Sequence, residues 1–161
     1  MVAGIPAVGK GVTYTTMGNY TEINVCFDMF ENTPEKIVNI LQYLIEGTEM
    51  QTELPDHDFF KCDRWFAIAC CDSYYFDGQT CSKMKFDNIS NTWKVNIRAN
   101  LKNQDSEIKK FIDWLAPHIC TFGFIGYTRY EEFYDPTLIY IEDGEAVFKQ
   151  IEVKEPEIGE T

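Results

Sequence analysis

Apolar and polar positions along this chain twice alternate and then recur at helical spacing. Residues 21–47 (TEINVCFDMFENTPEKIVNILQYLIEG) and 92–117 (TWKVNIRANLKNQDSEIKKFIDWLAP) each give an alternating run, a polar break with capping residues, and an apolar stripe. In the first, Ile23, Val25, Phe27 and Met29 share one strand face, with Glu22, Asn24, Cys26 and Asp28 on the other. Ile37, Ile40, Leu41 and Leu44 then form the stripe of a helix. In the second, Val95, Ile97, Ala99 and Leu101 oppose Lys94, Asn96, Arg98 and Asn100, and the stripe is Ile108, Phe111, Ile112 and Leu115. A period of two predicts a strand covered on one face, and a period near 3.6 an amphipathic helix.

Local signals fix the helix ends. Thr33-Pro34-Glu35 predicts a start, with Thr33 as cap, Pro34 at the first helical position and Glu35 complementing the dipole; Gly47 is the stop. Asp105 or Ser106 is the expected cap of the second helix, which Ala116-Pro117 ends. Further strands are expected at 11–17, 65–71 (WFAIACC, as a central strand), 81–86, 120–131, 137–141 and 146–151. Gly18-Asn19, Asp77-Gly78, residues 88–91 and Asp143-Gly144 supply turns. The polar connection 48–63, holding Pro55 and His57, is long for a loop in a compact domain and is therefore a functional candidate.

A shift of 72 residues carries Val12 onto Met84, Tyr14 onto Phe86, Asn19 onto Asn91, Ile23 onto Val95 and Met29 onto Leu101. One residue fewer at the cap carries Ile37 onto Ile108 and Leu44 onto Leu115. The expected fold is therefore α+β: a single domain over 1–161 with tandem ββαβ or βαββ repeats, about 11–86 and 83–151. They would form a curved, mainly antiparallel sheet with two helices on one face, an irregular start over 1–10 and a flexible acidic tail over 152–161. That topology looks like the gyrase-inhibitor-type ligand-binding fold, built from two βαββ halves, and is similar to the double-repeat sheet of the TATA-binding protein. The resemblance carries no motif, so it transfers no functional residue.

Composition narrows the function. A hydrophobic content of 45% and an aromatic content of 15% supply a core. A net charge of -12 disfavours direct nucleic-acid binding and docking onto an anionic membrane, and suits a basic protein partner. The chain starts without a basic, apolar leader, has no run of spanning length, and spaces none of its six cysteines as Cys-x-x-Cys; reduced thiols and a cytoplasmic location are expected.

Candidate chemistry is sparse. His57, Cys62, Cys70, Cys71 and Cys81 form one loose group and His118 with Cys120 another, but neither has the short knuckle of a zinc site. His57 and His118 are the available bases for a cysteine nucleophile, and no Gly-x-Ser-x-Gly, phosphate-binding glycine loop or His-Glu-x-x-His occurs. No catalytic residue, metal or cofactor is expected.

Charge and aromatics are more telling. Residues 83–110 are rich in lysine and arginine, on a polar strand face, while the last third of the chain is acidic. The leading expectation is a small non-enzymatic interaction protein whose Tyr130, Glu131, Glu132, Tyr134, Asp135, Glu142, Asp143 and Glu145 bind a basic, nucleic-acid-binding surface of a partner protein. Phage-encoded anti-defence and anti-CRISPR inhibitors look like this in size and charge. The alternative is a small-ligand binder with a cleft between the repeats lined by Trp65, Tyr74, Trp93 and Tyr127. A homodimer through an open sheet edge or the Tyr-rich segment is a further expectation.

Overall fold

The computed structural model describes residues 18–152; the expected strand at 11–17, the irregular start and residues 153–161 of the acidic tail lie outside the described residues. The order is β1 (Tyr20–Phe30), α1 (Glu35–Glu46), β2 (Lys83–Asp87), β3 (Thr92–Lys102), α2 (Glu107–Leu115), β4 (Gly123–Tyr130), β5 (Thr137–Glu142) and β6 (Glu145–Gln150). The described residues form one six-stranded sheet, ordered β2-β3-β1-β4-β5-β6, with every neighbouring pair antiparallel. Helix α1 links β1 to β2 across β3, and α2 links β3 to β4 across β1. Two strand–helix–strand units thus interlock, a split-βαβ arrangement extended by the β5–β6 hairpin.

The alternation seen in the sequence sets which way this sheet faces. β1 and β3 pair over their whole lengths, from Tyr20↔Lys102 to Phe30↔Thr92. Ile23, Val25, Phe27 and Met29 of β1 and Val95, Ile97, Ala99 and Leu101 of β3 are buried in one cluster with Ile37, Ile40, Leu41 and Leu44 of α1 and Ile108, Phe111, Ile112 and Leu115 of α2. Both helices therefore cover one face and leave the other open. The bounds of β1 and β3 are offset by 72 residues and the alternate core positions match. Burial differs at Thr21, Glu22, Cys26 and Asp28 from their counterparts Trp93, Lys94, Arg98 and Asn100, so an internal repeat is not established. Gly126 lets β4 approach β1: a Cβ there would lie 2.0 Å from the Asn24 carbonyl oxygen, at a φ of +151°.

Three local expectations change. Residues 65–71 are not a central strand: Trp65–Ala67 is a 3-10 turn, with Ile68 and Ala69 buried behind it. An unbroken apolar run cannot distinguish a buried strand from buried turns; here its backbone meets β3 where the Cys71 carbonyl accepts the Asn100 N–H at 2.9 Å. Thr33 does not cap α1, because its hydroxyl donates to the Phe30 carbonyl at 2.7 Å; Pro34 holds the cap position and its carbonyl accepts the Ile37 N–H. Ser106, in a left-handed conformation, and Asp105 provide no side-chain cap for α2; the buried Glu107 carboxylate instead accepts the Asp105 N–H. Gly47 closes α1 as expected, its N–H donating to the Tyr43 carbonyl.

The long 48–63 connection is tied down by Phe59, fully buried and stacked on Trp114 with ring centroids 5.8 Å apart, with Phe111 at 5.2 Å. Phe59 is thus a core residue carried by a polar loop. Phe59→Ala is expected to cost about 3–5 kcal/mol in urea unfolding, whereas Phe66→Ala, 52% exposed in the same region, should change stability by under about 0.5 kcal/mol. Equal effects would show that the loop is not anchored this way.

Candidate functional site

The uncovered face of the sheet is built by the polar half of each alternation. β2 contributes Lys83 and Lys85, β3 Lys94, Asn96 and Arg98, β1 Asn24, Cys26 and Asp28, and β4 Tyr127 and Arg129. The register places Lys85 opposite Lys94 and Lys83 opposite Asn96, then Lys94 opposite Asp28 and Asn96 opposite Cys26. From β4 outward, Phe124 opposes Tyr140 of β5, and Tyr140 opposes Val147 of β6, which continues the face as an apolar and aromatic surface. Lys94 Nζ meets Asp28 at 2.5 Å, and this hydrogen bond holds the ammonium above the ordinary lysine range.

One end of this face is roofed. Between the Cys71 contact and the Cys81–Arg98 backbone pairing, residues 72–80 leave the sheet edge and cross the face. Tyr74 packs edge-on to Tyr20 at 5.0 Å, Phe76 sits 4.5 Å beneath the Arg129 guanidinium, and Gly78 lies so close to Arg98 that a Cβ would collide with Nη2. Under this flap Glu22, 1% exposed, accepts from Tyr127 Oη at 2.9 Å and Arg129 Nη2 at 3.1 Å, with Arg98 Nη2 3.8 Å away. A carboxylate so deeply buried needs this compensation. Two guanidiniums face it, so the cluster carries surplus positive charge. Glu22, Asn24 and Arg98 are legible as polar-face residues, but their convergence with Arg129 and the flap depends on a β1–β4 register that spacing does not encode.

The eight acidic-surface residues separate into two groups. Tyr130, Glu131, Glu132, Tyr134 and Asp135 lie at the β4–β5 connection, and Glu142, Asp143 and Glu145 at the β5–β6 turn. The six residues of β5 hold the groups roughly 17 Å apart at ~3.4 Å per residue. At the first end, the Glu131 carboxylate accepts the Tyr20 N–H at 3.0 Å, and the Asn19 amide donates to Glu132 at 2.6 Å and to the Tyr130 hydroxyl. Phe133 and Tyr134 stand clear, 65% and 99% exposed. At the second, Glu142 is paired with Lys149 at 2.6 Å.

The four cleft residues are not brought together. Trp65 packs on the helix side with Tyr43 and Phe60, and Trp93 packs there beside Met29 and Phe86. Tyr74 and Tyr127 lie on the opposite, open side, so the sheet runs between the pairs. Burial pushes three thiols, Cys62, Cys70 and Cys120, up from the ordinary thiol range, and at Cys62 it outweighs Lys110, 3.9 Å from Sγ. His57 Nδ1 accepts the Phe59 N–H at 3.1 Å, a structural use of the ring, and burial lowers His118. Among the described residues no group of three or more His, Cys, Asp or Glu side chains is arranged to hold a metal ion.

No protein-family model, curated protein or solved structure matches this chain.

Glu22→Ala leaves two guanidiniums facing each other beneath the flap. It is expected to cost about 3 kcal/mol in urea unfolding, at the low end for a broken buried pair because Arg129 is 40% exposed; Tyr127→Phe should cost about 1–2 kcal/mol. A neutral Glu22→Ala would contradict the cluster's structural role. In timed alkylation near pH 8, exposed Cys26 and Cys81 should react before Cys62 and Cys120, whose rates should keep rising above the usual thiol range. Fast labelling of Cys120 at neutral pH would contradict this.

Proposed function

We propose that this chain is a non-enzymatic interaction protein that docks onto a basic surface of a nucleic-acid-handling protein through its β4–β5 connection. The observation that carries this reading is residues 131–136 (EEFYDP): two exposed aromatic rings, Phe133 at 65% and Tyr134 at 99%, set among Glu131, Glu132 and Asp135 with no cation in the loop. Large exposed aromatics are the side chains that anchor interfaces, combining area with little conformational freedom to lose. Carboxylates around them favour a cationic partner and speed its approach.

The loop is held ready for this. Its first residue is hydrogen-bonded to Tyr20 through both backbone and carboxylate, and the Phe133 N–H donates to the Tyr130 carbonyl at 3.0 Å. Tyr130 and Phe133 pack at 5.2 Å. A loop already fixed loses less entropy on binding. Occupying a nucleic-acid-binding surface would make the chain an inhibitor of its partner, of the anti-defence kind. The acids at the β5–β6 turn, Glu142, Asp143 and Glu145, lie roughly 17 Å away, within the roughly 30 Å span of an interface of about 800 Å² per partner, and would extend the same acidic surface.

Affinity capture from lysate at low salt should recover a partner with a basic surface and release it as salt rises. Tyr134→Ala should weaken capture about 30-fold, the loss typical of an aromatic hot spot, and Asp135→Lys should weaken it further. Capture unaffected by both substitutions, or by salt, would overturn the reading.

A further inference from the structure

Beside the β4–β5 connection the surface is concave. A groove of about 320 Å³ is lined there by Glu132, Phe133, Tyr134 and Asp135 of the connection and by Gln150 and Ile151 at the end of β6. That volume is at the small end of the roughly 300–1,000 Å³ of ligand sites, a size suited to one side chain. Among the described residues no lysine or arginine lines it. Lys149, the residue before Gln150, is turned to Glu142 at the far end of β5, at 2.6 Å. Two of the lining side chains are fixed before anything binds: the Asn19 amide holds Glu132 at 2.6 Å, and Tyr130 packs on the Phe133 ring at 5.2 Å. Carboxylates, uncovered rings and an apolar patch at Ile151 therefore share one small concavity.

We propose that this groove takes one arginine side chain of a basic partner, an assignment that rests on the docking reading above. The Asp135 carboxylate can accept two N–H groups of a guanidinium at once, and Glu132 adds a second negative charge. The Phe133 and Tyr134 rings offer π-faces, which attract a cation and stack on a flat one. Ile151 supplies apolar surface for the methylene stem. A lysine ammonium is a more strongly hydrated point charge that neither stacks nor forks. A trimethylated lysine has no N–H to give either carboxylate, and two open rings do not enclose it as an aromatic cage would. Arginine is the one side chain that uses every part of the lining.

The test is amide chemical-shift mapping on the isotope-labelled full chain at constant ionic strength. The probes are the N-acetyl methylamides of arginine, lysine, trimethyllysine and citrulline. Arginine is expected to shift the amides of residues 132–135, Gln150 and Ile151 and to saturate in the millimolar range. Lysine and trimethyllysine should bind about two- to fivefold more weakly, and uncharged citrulline should shift nothing. Y134A should weaken arginine binding about two- to fivefold, whereas Y134F keeps the ring and should leave it unchanged. D135N should weaken it by up to about fivefold. A capped residue reports the groove alone, so these losses are smaller than those in partner capture. Tyr134 and Asp135 are exposed, so matched thermal melts separate the losses from unfolding, and the ranking of the four probes needs no variant. Partner capture without arginine shifts in the groove overturns the arginine site and leaves the docking reading standing; groove shifts without a captured partner do the reverse. Lysine, trimethyllysine or citrulline binding as tightly as arginine, or shifts centred elsewhere, would also overturn the proposal.

Discussion

The full-length antiparallel pairing of β1 with β3 is the constraint on which the rest of the molecule depends. Eleven residues on each strand are matched without a break, and alternate side chains go to opposite faces. A slip of one residue would send Ile23, Val25, Phe27 and Met29 to water and Glu22, Asn24, Cys26 and Asp28 under the helices. Burying four such apolar side chains is worth roughly 1.5–3 kcal/mol each, so the register is strongly specified. Both helices then have one place to go. The surface left over is polar by construction, and its charges are whatever the even-numbered residues of these two strands supply.

That leftover surface is mixed in charge. Strands β2 and β3 bring lysines, β1 and β2 set Asp28 and Asp87 among them, and the connections at the ends of β5 bring further carboxylates. The one carboxylate driven fully into the open side, Glu22, is enclosed by Arg129, Arg98 and Tyr127 and roofed by residues 72–80. The flap thus takes one end of the face out of solvent and leaves the other end free, where Lys83, Lys85 and Lys94 stand among Asp28 and Asp87.

Much of this was legible from spacing. The faces of β1 and β3, the stripes of both helices, Gly47 as a stop and Asp143-Gly144 as a turn follow from period and local chemistry, which act over a few residues. The illegible parts depend on what lies across the sheet. Trp65 to Cys71 reads as a strand because a continuous apolar run fits either geometry. Thr33 and Ser106 have the right chemistry for caps, but nearby backbone and Glu107 supply other partners. Trp65, Tyr74, Trp93 and Tyr127 belong to aromatic-rich stretches of the chain, but the sheet sends two to each side. The Glu22 cluster joins residues more than a hundred positions apart, which no local pattern encodes.

The central claim is that β1 and β3 pair in one register over their full lengths and so decide which side chains the helices cover. Nuclear Overhauser contacts between backbone protons of facing residues, read on an isotope-labelled sample, test it most directly. The account predicts cross-strand contacts between pairs running from Tyr20 opposite Lys102 to Phe30 opposite Thr92. Contacts displaced by one or more residues, or none between these strands, would contradict it.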